Sequence, residues 1–114
     1  MFQVFLLPQV EKELKKLLTK KELLELKKFV LGDLSQKGDS VGNQLSYPFL
    51  REKKIAAKRV YYLVYKEIAI ILIVGSSDKK SQQETINYIK SYLSEFKEYA
   101  YKLHQELKEK EDNN

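Results

Sequence analysis

The stretch from Lys58 to Val74, KRVYYLVYKEIAIILIV, decides the fold. Its first part, residues 58–65, is rich in Val and Tyr, which favour strands. Its last part, residues 68–74, is an unbroken apolar run of strand length, typical of a central strand that other elements cover. Residues 66–67 between them predict a tight turn, so the two strands form an antiparallel pair, which we expect to end at Gly75.

Two further strands are predicted outside this pair. Residues 49–55 fit a strand with its charged side chains outward, and they complete an antiparallel meander of three consecutive strands. Residues 2–7 are aromatic and aliphatic and end at Pro8, which predicts a short first strand.

The segment after Pro8 predicts two helices. Apolar residues recur there at helical spacing, at Val10, Leu14, Leu17 and Leu18. Thr19 and Glu22 form a capping-box pattern, so one helix should end near Leu18 and a second should start after Thr19. A single helix over residues 8–31 is the alternative. Gly32 is expected to cap the second helix, and residues 32–48 are expected to form a loop.

The C-terminal segment predicts one long helix, over about 81–108. Ser81 and Glu84 form a second capping-box pattern. Apolar residues then follow at alternating spacings of three and four, at Ile86, Ile89, Leu93, Phe96, Ala100, Leu103 and Leu107. Such a helix is on the order of 40 Å long, longer than the rest of the fold. Its apolar stripe packs within the chain, forms a homodimer or binds a partner helix, and the pattern leaves these alternatives open.

Length and composition place the chain among small basic globular domains. It has 114 residues, a net charge of +5 and 43% hydrophobic residues, which predicts a single domain over residues 1–114 and excludes a disordered or multidomain protein. The absence of cysteine excludes a disulfide scaffold, thiolate zinc sites and a cysteine nucleophile. Because no apolar run approaches the roughly 20 residues of a membrane helix, we expect a cytoplasmic protein with no membrane partner.

Basic residues concentrate around the turn between the second and third strands. Residues 51–59 contain five cations, Arg51, Lys53, Lys54, Lys58 and Arg59, and one acid, Glu52. Because side chains alternate across a strand, Arg59 and Tyr61 should share an open sheet face opposite the core. Such a face either holds a phosphodiester backbone or is simply solvated, and the pattern supports both interpretations.

Other catalytic patterns are missing from the sequence. There is no glycine-rich phosphate loop, and the single histidine, His104, lies far along the last helix without nearby metal-ligand spacing. Asp78 is best explained as a cap near a helix start. We therefore expect neither a metal site nor a cofactor.

Three short motifs point to a known family. They are Leu50-Arg51, then KRVYY at residues 58–62, then SDKKSQQ at residues 77–83. With these motifs, residues 2–90 of the chain resemble the RelE/ParE superfamily of type II toxin–antitoxin toxins, in its RelE-like, addiction-module killer branch. The resemblance implies an α+β fold of order β-α-α-β-β-β(-α), a small antiparallel sheet packed against two N-terminal helices, with a long C-terminal helix. Ala56-Ala57 replaces the glycine turn of such relatives, and the helix beyond Ile89 is longer than theirs.

The resemblance also implies a function, cleavage of mRNA in the ribosomal A site without a metal. A 2′-hydroxyl attacks the adjacent phosphate, and arginine suits the stabilisation of the developing negative charge. Arg51 and Arg59 would stabilise the transition state, and Lys79 would assist proton transfer. Tyr61 would stack on a base or assist proton transfer. The RNA-binding candidates are Lys53, Lys54, Lys58 and Lys80.

Partners and alternatives follow from the same resemblance. It implies a cognate antitoxin protein, the ribosome and mRNA as partners, with a homodimer through the C-terminal helix as a further possibility. One alternative is a non-enzymatic binding protein, either a ParE-like poison of DNA gyrase or an inactive toxin relic. The other is an interaction module that acts through its C-terminal helix.

Overall fold

A five-stranded sheet forms the centre of the structure, a computed structural model that describes residues 1–112. In the order in which they lie side by side, the strands are β1 (Gln3–Leu6), β5 (Ile70–Ser77), β4 (Lys58–Tyr65), β3 (Leu50–Ile55) and β2 (Asn43–Gln44). β1 is parallel to β5, and the other neighbours are antiparallel. The predicted meander of three consecutive strands is confirmed, and the sheet is mixed rather than purely antiparallel.

Two helices follow β1, as the sequence predicts. α1 is Pro8–Leu17 and α2 is Lys20–Phe29. The Thr19 hydroxyl accepts a hydrogen bond from the Glu22 backbone N–H, and the Glu22 carboxylate accepts one from the Thr19 backbone N–H. This capping box satisfies two backbone donors at the start of α2, so the alternative of one continuous helix is wrong.

Gly32 does not end α2, contrary to the prediction. The helical path continues as a π-helical segment, Val30–Leu34, and then as the short helix α3, Ser35–Lys37. Leu34 is fully buried, and this burial outweighs the helix-weakening effect of one glycine, which is about 1 kcal/mol. The expected loop is therefore partly helical, and it also contains β2.

Strand β5 does not end at Gly75 either, because it runs on to Ser77. Gly75 lies opposite Tyr61 on β4, beside a β-bulge. A Cβ atom at Gly75 would lie 3.3 Å from the Ile89 Cδ1 atom, so the missing side chain lets the next helix approach the sheet closely. Glycine here serves packing rather than strand termination.

Helices cover both faces of the sheet around β4. On one face, the Phe29 ring of α2 lies 6.2 Å from the Tyr62 ring. On the other face, the Tyr65 ring lies 6.4 Å from the Tyr101 ring, which belongs to a C-terminal helix. Both Tyr61 and Tyr62 are fully buried. The expectation of an open sheet face beside Tyr61 is therefore wrong.

The C-terminal segment forms two helices rather than the single long one that the heptad spacing predicts. α4 is Gln82–Ser91 and α5 is Leu93–Asp112, and Tyr92 between them has φ −118° and ψ 20°. Ile89 of α4 and Ala100 of α5 are both fully buried, and both helices contact β5. The break turns both halves of the apolar stripe onto the sheet, so packing within the chain is the alternative that the structure supports.

The second capping-box prediction is also wrong. Ser81 precedes α4, but its side chain makes no cap bond to the helix. Its hydroxyl instead donates to Asp78. Within residues 1–112, no helix combines the length and apolar character needed to cross a membrane.

Candidate nucleic-acid interface

The hairpin between β3 and β4 places cations at one end of the sheet. Lys54 lies opposite Arg59, and Arg59 lies opposite Ser77, so the three residues form one row across β3, β4 and β5. Cross-strand partners of this kind point to the same face of a sheet. Lys79 and Lys80 follow directly after β5. We call Lys54, Arg59, Lys79 and Lys80 the hairpin-end cluster.

Three lysines of this cluster are free to contact a ligand. Lys54, Lys79 and Lys80 are exposed. In the part of the chain that the structure describes, none of the three forms an ion pair. Cations without a protein partner are the groups that phosphate oxygens can engage without displacing an existing contact.

Arg59 is anchored at its inner end. Its Nε atom is buried, lies 3.6 Å from the Glu52 Oε1 atom and has no hydrogen-bond partner among the described residues. Its Nη1 atom reaches the hairpin turn and donates to the Ala57 carbonyl over a long 3.4 Å. The guanidinium therefore has an ion pair at its base and only a weak contact at its tip.

Glu52 is the residue of this candidate site that the sequence analysis did not single out. It is 3% exposed, and its Oε1 atom accepts a hydrogen bond of 3.1 Å from Gln82 Nε2 at the start of α4. It thereby links Arg59 to α4. One observation could have identified it: Glu52 is the one acid among five cations. It also lies two positions after the buried Leu50 on β3, so the two side chains share a face of the strand.

Arg51 lies on the opposite face of the sheet from Arg59. It pairs with Tyr62 in the register, whereas Arg59 pairs with Lys54, three positions further along β3. Its guanidinium donates to three backbone carbonyls, those of Val41 at 2.7 Å, Gly42 at 3.2 Å and Pro48 at 3.3 Å. The structure therefore does not bring the two predicted phosphate-stabilising arginines together, and Arg51 holds the segment before β3.

Lys53 and Lys58 also contact α2 rather than the cluster. The Lys53 ammonium lies 4.9 Å from the centroid of the Phe29 ring. The Lys58 ammonium donates to the Glu22 carboxylate at 2.7 Å, and this contact holds the pKa of Glu22 below its usual value. Both lysines already have partners, in contrast to the three free lysines of the hairpin-end cluster.

Tyr61 lies beneath the cluster. Its phenol shares a hydrogen bond of 2.8 Å with the Ser77 hydroxyl, and burial raises its pKa. Because the ring is fully buried, it does not offer a face on which a base could stack. Its predicted part in proton transfer stays a prediction.

Asp78 has the capping role that the sequence indicates. One carboxylate oxygen accepts hydrogen bonds from the Ser81 backbone N–H at 2.9 Å and from the Ser81 hydroxyl at 2.8 Å. Both bonds lower the pKa of Asp78, and the bond from the backbone N–H has the larger effect. Within residues 1–112, no group of three or more His, Cys, Asp or Glu side chains is arranged to hold a metal ion.

Comparisons with known proteins identify the fold. No protein-family model matches the chain, and no curated protein matches it. Its structure is similar to a variant of toxin RelE from E. coli in the free state, with TM-score 0.61 and 17% identity over 77% of this chain and 97% of that one. It is also similar to two toxin–antitoxin complexes.

The first of these is RelBE2 from Mycobacterium tuberculosis, with TM-score 0.58 and 21% identity over 68% of this chain and 98% of the matched chain. The second is the intact RelBE complex from E. coli, with TM-score 0.59 and 18% identity over 68% of this chain and 96% of the matched chain. Three-dimensional agreement at so low an identity is evidence about the fold. The chain therefore has the α+β fold of RelE toxins.

Proposed function

We propose that this chain is the toxin of a toxin–antitoxin module and a ribosome-dependent endoribonuclease that cleaves mRNA and inhibits translation. The observation that carries the proposal is the hairpin-end cluster. It gathers four cations at one end of a RelE-like sheet, and three of them have no ion pair within residues 1–112. Action on the ribosome entails a cytoplasmic protein.

The cluster suits RNA cleavage by the 2′-hydroxyl of the substrate. In that reaction negative charge grows on the phosphate, and a guanidinium stabilises it because it stays charged and binds two oxygens at once. Arg59 takes this role, since Glu52 fixes its inner end and the outer end reaches the hairpin turn. Lys79 is the candidate for proton transfer, and Lys54 and Lys80 bind the RNA backbone.

The proposal gives the other predicted residues supporting roles. Arg51, Lys53 and Lys58 hold loops and α2 against the sheet through the contacts described above. A cognate antitoxin is part of the proposal, because two structural neighbours are toxin–antitoxin complexes. A homodimer through α5 has less support, since the apolar side chains of Phe96 and Ala100 are buried within the chain.

The test is an in vitro translation reaction in which the 5′ ends of the mRNA are mapped. We expect the wild-type protein to produce cuts at regular codon positions, and only when ribosomes are present. Arg59→Ala should abolish the cuts, while Lys102→Ala, which removes an exposed lysine of α5, should leave them unchanged. Intact mRNA with the wild-type protein would contradict the proposal and favour the non-enzymatic alternatives.

A further inference from the structure

Strand β5 has a free edge along its last four residues. β1 is its neighbour on that side of the sheet, and the pairing ends where Leu6 lies opposite Ile73. β5 runs on to Ser77, whereas the chain leaves β1 at Leu7 to begin α1. Residues 75–77 therefore have register partners on the β4 side only, and Val74, the extra residue at the β-bulge, has none. At about 3.3 Å per residue, the unpaired edge is about 13 Å long.

This edge is the floor of an open cleft of about 690 Å³. α1 and α4 form the two walls, and the wall residues that matter here are Gln9, Glu13, Lys16, Glu84, Thr85 and Tyr88. The floor residues after Val74 are small, so their side chains do not crowd the space between the two walls. A pairing strand would lie about 4.8 Å from β5.

The walls of the cleft are acidic on a chain that is basic overall. Glu13 on α1 and Glu84 on α4 are exposed, and neither forms an ion pair among the described residues. Asp78 adds a third carboxylate at the rim, against the single cation Lys16. The cleft therefore has a local excess of acid, although the whole chain has a charge of +5.

We propose that the cleft binds an extended, basic peptide segment of a partner protein, which adds to β5 as a further strand. Backbone hydrogen bonds to residues 74–77 supply affinity, and Lys or Arg side chains reach Glu13 and Glu84. Proteins usually cover or blunt an open strand edge, and here the two helices protect it from everything except a slender chain. The inference does not rest on RNA cleavage, because its ligand and the side chains that recognise it are different, although Ser77 borders both sites.

The first test measures binding of a fluorescein-labelled peptide of two Lys-Lys-Val-Val repeats by fluorescence polarisation, with two Glu-Glu-Val-Val repeats as the control. Adjacent Lys residues point to opposite faces of a strand, so they can reach both walls. We expect only the basic peptide to bind. The double variant with Glu13→Lys and Glu84→Lys should weaken binding about tenfold or more. The matched variant with Glu95→Lys and Glu106→Lys changes the net charge of the protein by the same amount, but on α5. It should bind the peptide like the wild type.

The second test asks whether the peptide binds as a strand. A strand has two hydrogen-bonding edges, and only one of them faces β5. Because a repeating peptide can turn either edge to β5, one form is methylated at every backbone amide nitrogen, which blocks both edges, and the other only at its Lys side-chain nitrogens, which keeps both edges and the charge. We expect one methylated form to lose binding and the other to keep it.

Three outcomes would overturn the inference. They are no binding up to about 1 mM peptide, equal weakening by the α5 control variant, and equal tolerance of both methylated forms. None of them bears on the endoribonuclease activity, so the two proposals can fail separately.

Discussion

At the scale of single residues, the buried pair of Glu52 and Arg59 has the largest consequences. A buried carboxylate is stable only with partners, and Glu52 has Arg59 and Gln82. The sequence identified Arg59 as a site residue, but it treated Arg51 as equivalent. The two arginines differ because Arg51 donates hydrogen bonds to the carbonyls of Val41 and Gly42. These contacts form only in the folded chain, so the local sequence around Arg51 does not indicate them.

We predict that Glu52→Ala lowers the free energy of unfolding by about 3 kcal/mol, because it leaves the buried Nε of Arg59 without a countercharge. The measurement is urea unfolding followed by circular dichroism. Glu25→Ala, which removes an exposed carboxylate from α2, is the control and should change stability by less than about 0.5 kcal/mol. A similar loss in the free energy of unfolding for both variants would mean that the ion pair of Glu52 and Arg59 does not stabilise the fold.

The hairpin turn offers a second prediction at this scale. Ala56 has φ +55°, a left-handed conformation that costs a residue with a side chain about 1 kcal/mol, and the sequence marked this position as one where glycine was expected. Ala56→Gly should therefore raise the free energy of unfolding by about 1 kcal/mol. Ala57 does not have positive φ, so Ala57→Gly should lower stability. Destabilisation by both variants would contradict the argument.

At the scale of elements, local signals predict where helices start more reliably than where they end. The capping box at Thr19 forms because its two partners are three residues apart in one chain segment. The break at Tyr92 has no such signal, since it depends on how α4 and α5 each meet β5. Gly75 was misread because the residue that approaches it, Ile89, belongs to another element. Gly32 was misread because the burial of Leu34 carries the helical path past it.

The two capping-box patterns give a matched prediction. Thr19→Ala should lower the free energy of unfolding by about 1 kcal/mol, since it removes a bond to the start of α2. Ser81→Ala should cost clearly less, because the Ser81 hydroxyl bonds an exposed carboxylate rather than the helix. Thermal and urea unfolding of both variants measure this difference. An equal loss in the free energy of unfolding would show that the Ser81 contact stabilises the fold more than we expect.

At the scale of the whole molecule, a sheet covered on both faces encloses several tyrosines. The composition and the apolar run 68–74 predicted a central strand, but they did not reveal that α4 and α5 cover the second face. The hydrogen bond from the Tyr62 phenol to the Val41 carbonyl is one result of this enclosure. The same enclosure changes the pKa of the Tyr62 phenol.

Burial raises the pKa of Tyr62 to about 12, from an ordinary value of 10.0. The neutral phenol is thus favoured in the folded state, and its contribution to stability is complete below pH 10 and falls as pH rises towards 12. Absorbance at alkaline pH should show a phase near pH 12 to which Tyr62 contributes. Tyr62→Phe should remove amplitude from that phase, and an unchanged amplitude would contradict the burial argument.

The central claim is that the hairpin-end cluster acts on RNA through Arg59, while Arg51 holds the fold. The most direct test is mRNA cleavage in a translation reaction, expressed per folded molecule, for Arg59→Ala and Arg51→Ala side by side. We predict that Arg59→Ala loses stability, because it leaves the buried Glu52 carboxylate without a countercharge, and that its folded molecules no longer cleave mRNA. Arg51→Ala also loses stability, yet its folded molecules still cut at the same codon positions. Loss of cleavage by folded Arg51→Ala, with cleavage retained by Arg59→Ala, would contradict this account.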